Sequence, residues 1–109
     1  MLNKQTTLYL KRGGSASIDF DFSDFVFTEG SKCVFTISNV CKSTNLLQLE
    51  FTESKKYTMI LSDEFTSTLT DNKYLYNIVY IVNDERYPQC DDSDIIVRNM
   101  VNSYESDTN

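Results

Sequence analysis

Residues 73–82, KYLYNIVYIV, are the stretch that most strongly determines the fold. Their apolar side chains alternate with a period of two, which places successive residues on opposite faces of a β-strand. The two faces are Tyr74, Tyr76, Ile78 and Tyr80 on one side, and Leu75, Asn77, Val79 and Ile81 on the other. Because both faces are largely apolar, we expect a central strand, covered either by a second sheet and a partner or by loops and termini. Which face belongs to the core is left open by the pattern.

Similar alternation recurs along the rest of the chain, with turn-forming residues between the segments, such as Asn83–Asp84 after residues 73–82. The predicted strands cover residues 8–10, 18–22, 33–39, 47–52, 55–62, 73–82, 87–90 and 94–101. Helix is expected at most as a turn near residues 64–69, and the segment QCDDSD, residues 89–94, is expected to be a polar turn. About seven or eight short strands predict an all-β fold, a two-sheet antiparallel β-sandwich of Ig-like or jelly-roll-like type.

The length of 109 residues fits a single domain, which we assign to residues 1–101. Residues 102–109 are polar and are expected to form a flexible C-terminal tail. The N-terminus lacks the apolar core of a signal peptide, and no apolar run is long enough to span a membrane. We therefore expect synthesis in the cytoplasm and no membrane association.

Residues suited to catalysis or metal binding are scarce. Histidine, the most frequent general base, is absent. The three cysteines lie in or beside apolar strands without CxxC spacing, so neither a disulfide framework nor a zinc site is predicted. Asp19 and Asp21 alternate with aromatic residues, as on a solvated strand face. We expect no enzymatic activity, no catalytic or metal-binding residues and no cofactor.

The charge of the chain limits its partners. The net charge is −6, and the excess lies in residues 55–109, which hold ten acidic and five basic residues against six and five in residues 1–54. An acidic surface repels phosphates and anionic lipids, so direct binding to nucleic acid or to membranes is not expected. A basic protein is a compatible partner.

Seven tyrosines give the chain a supply of side chains that are favoured in the centres of protein interfaces. We expect them to divide between core and contact surface. The candidate interaction surface comprises Tyr74, Tyr76, Tyr80, Tyr87, Asp91, Asp92 and Asp94.

Several segments together carry a family resemblance. They are LYLKRGGSASIDFDF (residues 8–22), GSKCVFTIS (30–38), LTDNKYLYNIVYIVND (69–84) and DIIVRNMV (94–101). In this combination the chain resembles the small β-sandwich structural domains of tailed bacteriophages and prophages of Gram-positive hosts. It departs from their pattern at Asn72 and Ser93, where glycine is usual, and at Asn77, where aspartate is usual. Asn and Ser are accepted in turns, so the fold expectation is unchanged.

The resemblance implies a virion structural protein of the baseplate, tail or neck, which binds other virion proteins or further copies of itself as a homo-oligomer. It implies assembly in the cytoplasm of the bacterial host and then a place in the virion. The alternative is a small acidic, anti-CRISPR-like inhibitor of a host defence nuclease, which mimics nucleic acid and occupies a basic groove of that host protein. This alternative rests on the acidic excess of residues 55–109.

Overall fold

The structure is a computed structural model in which residues 7–99 are described, apart from the side chains of Cys90 and Asp91. The described residues form seven strands and one short helix. The strands are β1 (Leu8–Arg12), β2 (Ala16–Asp21), β3 (Lys32–Ser38), β4 (Asn45–Phe51), β5 (Lys56–Leu61), β6 (Lys73–Val82) and β7 (Glu85–Asn99), and the helix is α1 (Asp63–Ser67). With 59% of the residues in strands, the expectation of a mostly β protein is confirmed. The expected tail, residues 102–109, lies outside the described residues.

Five strands form a large sheet in the order β1-β7-β6-β3-β4, and β2 pairs with β5 in a second, small sheet. The predicted central position of β6 is confirmed. The expectation of purely antiparallel sheets is not, because β1 runs parallel to β7, with Leu8 opposite Ile95 and Arg12 opposite Asn99. Strand alternation identifies which residues form a strand but carries no information on which distant strand it joins.

The core lies between the small sheet and one face of the large sheet, which we call the inner face. Phe20 of β2 packs with its ring centroid 5.0 Å from that of Phe35 in β3 and 4.9 Å from that of Phe51 in β4. Tyr74 and Tyr76 of β6 belong to the same buried cluster. The question left open for residues 73–82 is therefore answered, because the side with Tyr74 and Tyr76 faces the core.

Two turns direct the chain through left-handed backbone conformations. Asn83 and Asp84, the predicted turn between β6 and β7, have φ values of 52° and 66°. Positive φ at both central residues is the requirement of a two-residue type I′ hairpin turn. Gly13, with a φ of 85°, turns the chain after β1. It leads into β2 of the other sheet, so this turn does not close a hairpin between paired strands.

The last strand differs from its prediction. Two short strands separated by a polar turn were expected, whereas residues 85–99 form one strand that stays paired with β6. The register shifts on both sides of Ile78, between the pairs Tyr76–Ser93 and Val79–Pro88. A bulge thus accommodates the extra residues of the acidic segment without ending the strand.

Arg12 fastens the end of β1 to the loop before β6 and to the end of β7. Its Nε donates to the carbonyl oxygen of Leu69 at 2.6 Å, and its Nη2 donates to that of Asp71 at 2.9 Å. Its Nη1 donates to the Oδ1 of Asn99. These bonds span 57 to 87 residues of sequence, and they hold the parallel strand β1 in its register.

Candidate interaction surface

The predicted surface residues do not lie together. Tyr74 is 4% exposed and Tyr76 is 1% exposed, and the phenol of Tyr74 accepts a hydrogen bond from the backbone N–H of Asp71 at 2.9 Å. Both tyrosines therefore belong to the core and offer no surface to a partner. The side chain of Asp91 lies outside what the structure describes.

Tyr80 and Tyr87 form an aromatic cluster at one end of the inner face. Their ring centroids are 6.3 Å apart, and Phe25 from the loop after β2 packs edge-on against Tyr80 at 5.0 Å. Hydrogen bonds with Ser31 and Thr28 lower the pKa of Tyr80. Tyr87 is 45% exposed. Of these two tyrosines, only Tyr87 is exposed enough to contact a partner.

The hydroxyl of Tyr87 is already hydrogen-bonded to Glu85. The phenol of Tyr87 donates to the Oε1 of Glu85, which raises the pKa of the tyrosine. Because the hydroxyl already has a partner on its own strand, it is less available to a second protein.

Asp92 and Asp94 lie on the opposite side of the large sheet, and both are paired with lysines. Asp92 accepts hydrogen bonds from Lys42 and from the Nδ2 of Asn77, the latter at 3.0 Å, and these bonds lower its pKa. Asp94 is 3.5 Å from the Nζ of Lys73. Each of these carboxylates is paired with a cation within its own chain.

The side of the large sheet that faces away from the small sheet is the outer face. The register aligns apolar residues across it, with Val34 opposite Val79 and Ile96 opposite Tyr9. Its apolar residues are Tyr9, Val34, Leu75, Val79, Ile81 and Ile96. None of them belongs to the core cluster or packs against it.

No strand or helix in the described part of the chain packs over this outer face. β6 is hydrogen-bonded to β7 and β3 within the sheet, while the small sheet and the aromatic loop lie against the inner face. Val34 is 8% exposed, Leu75, Val79 and Ile81 are half-buried, and Tyr9 at the edge is 69% exposed. The outer side of the central strand is thus an apolar surface without a covering layer.

The doubly apolar pattern of residues 73–82 indicates this surface in the sequence. The tyrosines of β6 in the predicted interaction surface, however, lie on the other side of the strand. Tyrosine is favoured in protein interfaces, but its presence in a strand does not show which side of the sheet it faces. Only the register of the sheet shows that Leu75, Val79 and Ile81 share a face with Ile96.

The described residues contain no cluster of His, Cys, Asp and Glu that could hold a metal ion. Burial raises the pKa of the Cys33 thiol to about 11, which keeps it protonated at neutral pH, and Cys41 is exposed in a turn. No helix within residues 7–99 is long and apolar enough to cross a membrane.

Comparison with known proteins leaves this surface as the main indication of function. No protein-family model matches the sequence, and no curated protein matches it.

Proposed function

We propose that this protein is a binding module without catalytic activity, which attaches to other proteins through the outer face of its large sheet. The observation that carries the proposal is the uncovered apolar surface on the central strand. Leu75, Val79 and Ile81 of β6 lie on that surface, apart from the core. Apolar surface of this kind is stabilised by removal from water, at about 25 cal/mol per Å².

The size of the outer face fits a modest interface. Five strands about 4.8 Å apart and about seven residues long give a footprint of about 550 Å². Standard interfaces bury about 800 Å² per partner, so one module alone is expected to bind weakly. Several modules that act together in an assembly compensate for weak single contacts, because later contacts form within an existing complex.

The resemblance to small structural domains of tailed phages supports a phage virion as the place where such modules assemble. In this proposal the protein is a virion component of the baseplate, tail or neck, assembled in the bacterial cytoplasm with other virion proteins or with itself. The finer architecture that we propose is a two-layer β-sandwich. It is supported by the packing of Phe20 in the small sheet on Phe35 and Phe51 in the large sheet.

The alternative of an acidic inhibitor that mimics nucleic acid is less favoured. Such a protein needs carboxylates presented free to a basic groove, whereas Asp92 and Asp94 are paired with Lys42 and Lys73. A partner that took over these carboxylates would first have to break the existing ion pairs.

Site-specific photocross-linking tests the proposed function. A benzophenone amino acid replaces Val79 on the outer face of the full chain in the producing bacterium, and a matched control replaces Glu29, which is exposed in the loop before β3. We expect adducts with a second polypeptide chain from position 79 and none from position 29. The proposal is contradicted if position 79 of the folded protein gives no adduct, or only a cross-link to residues 1–6 or 100–109 of its own chain.

A further inference from the structure

We propose that the outer face of the large sheet binds the opposite side of a second copy of this chain, namely the outward face of its small sheet. This inference rests on the proposed function and specifies the partner. The protein would then assemble head to tail, with each copy using two different surfaces. The two sides of the molecule differ in charge.

The outer face is basic, although the protein as a whole is acidic. Lys11 and Arg98 lie directly opposite each other on adjacent strands of this face. Like charges in register across a sheet destabilise it unless an acid offsets them. Neither residue has a carboxylate within 4.0 Å among the described side chains.

Counting charged residues gives the outer face a net positive charge. With the adjoining turn of Lys42 it holds six basic and three acidic residues with described side chains, an excess of three positive charges. The basic residues are Lys11, Lys32, Lys42, Lys73, Arg86 and Arg98, and the acidic ones are Glu50, Asp92 and Asp94. Each of these acids is already paired with one of the lysines. The remaining positive charges favour an acidic partner.

The outward face of the small sheet has the complementary character. It presents Asp19 and Asp21 from β2, and the residues opposite them on β5 are Thr58 and Lys56. Ile60, the next outward residue of β5, is 66% exposed, which is unusual for so large an apolar side chain beside charged residues.

Two further acids follow the small sheet directly in the chain. Asp63 and Glu64 begin α1 directly after β5 and are exposed. On the outward face itself Asp19 and Asp21 outnumber the single base, Lys56, by one, and Asp63 and Glu64 follow at the end of β5. The two sides of the protein therefore carry opposite charge and an exposed apolar residue each, Tyr9 on the one and Ile60 on the other.

The two surfaces belong to different layers and face in opposite directions, so their contact is heterologous. Such a contact leaves one free surface on each terminal copy, and it generates a ring if the rotation between copies closes, or an open filament if it does not. Salt screens the attraction between the charges of the two surfaces, so the association should weaken as the ionic strength rises.

Sedimentation velocity of the full chain tests the inference. We expect wild-type protein to associate with rising concentration, and to do so less in about 0.5 M salt. Ile60→Asp on the small sheet and Arg98→Glu on the outer face should each raise the dissociation constant at least about tenfold. Val26→Asp is the matched control, because Val26 is 77% exposed in a loop that belongs to neither sheet, and it should behave as wild type.

Mixing the two disabled variants gives the decisive result. Ile60→Asp keeps its outer face and Arg98→Glu keeps its small-sheet face, so an equal mixture should form a dimer that grows no further. If Ile60→Asp leaves association intact while Arg98→Glu abolishes it, outer faces pair with each other. The head-to-tail inference is then wrong, although the proposed function stands. A wild-type chain that stays monomeric also overturns the inference, and photocross-linking at position 79 then decides the proposed function separately.

Discussion

Replacing valine by threonine at two positions of the large sheet measures directly whether the outer face is covered by the chain itself. Val97 lies on the inner face and is 1% exposed, within the core cluster. Val79 lies on the outer face, outside that cluster. The substitution keeps the shape of the side chain and exchanges a methyl group for a hydroxyl, so the two sites differ only in what surrounds them.

At Val97 the change removes a buried methyl group, worth about 0.8 kcal/mol, and buries a hydroxyl, which costs about 1–3 kcal/mol when it lacks a partner. We expect Val97→Thr to lower the free energy of unfolding by about 2–3 kcal/mol. For a chain of this size that corresponds to a fall in Tm on the order of 10 °C or more. Val79→Thr should cost less than about 0.5 kcal/mol, because its hydroxyl can reach water and threonine is favourable in strands.

Thermal and urea unfolding of both variants, at concentrations low enough to keep the chain monomeric, gives the comparison. Equal losses at the two positions would contradict an open outer face, since they would mean that the chain covers that face itself. A loss at Val97 alone supports an open surface at Val79.

Three further outcomes follow from the structure. Arg12→Lys should destabilise the chain by about 1–3 kcal/mol in urea unfolding, because lysine cannot reproduce the hydrogen bonds that the guanidinium donates in three directions. An unchanged unfolding midpoint would mean that these bonds do not hold β1 in place. Burial raises the pKa of Cys33 from about 9 to about 11, so the folded state keeps the thiol proton to higher pH than the unfolded state does, and the free energy of unfolding should fall as pH rises through this window. Unfolding of Cys33→Ala across the same window should lack this part of the loss. An identical pH profile for the variant and the wild type would contradict the assignment. Asp84→Gly should raise Tm slightly, by the equivalent of about 0.5–1 kcal/mol, because glycine adopts the φ of 66° without strain, and a decrease would mean that the aspartate side chain supports the turn.

The elements that the sequence predicts well are those decided by local pattern. The alternation in residues 73–82 identifies a strand with two apolar faces, and the pair Asn83–Asp84 identifies its turn. The parallel pairing of β1 with β7 depends on contacts made by Arg12 across more than 50 residues, which no local pattern encodes. The bulge near Ile78 was missed for a similar reason. A run of acidic residues is typical of a turn, and its retention in a strand depends on partners such as Lys42 from another loop.

The candidate surface was predictable only in part. The doubly apolar strand indicated that one side would need a cover, but the tyrosines chosen as contact residues, Tyr74 and Tyr76, face the core. Aromatic side chains serve cores and interfaces equally well, so residue type alone cannot separate the two uses. The negative charge of the whole chain hides the positive charge of the outer face, because its basic residues come from five separate segments.

The central claim, that the outer face of the large sheet is open in the isolated chain and covered in the assembly, can be tested by thiol labelling. Val79→Cys, in a chain whose Cys41 and Cys90 are replaced by serine, is treated with a maleimide in dilute purified protein and in the producing cells. We expect rapid labelling in the dilute protein and protection in the cells. Protection already in the dilute monomer, or equal labelling in both states, would contradict it.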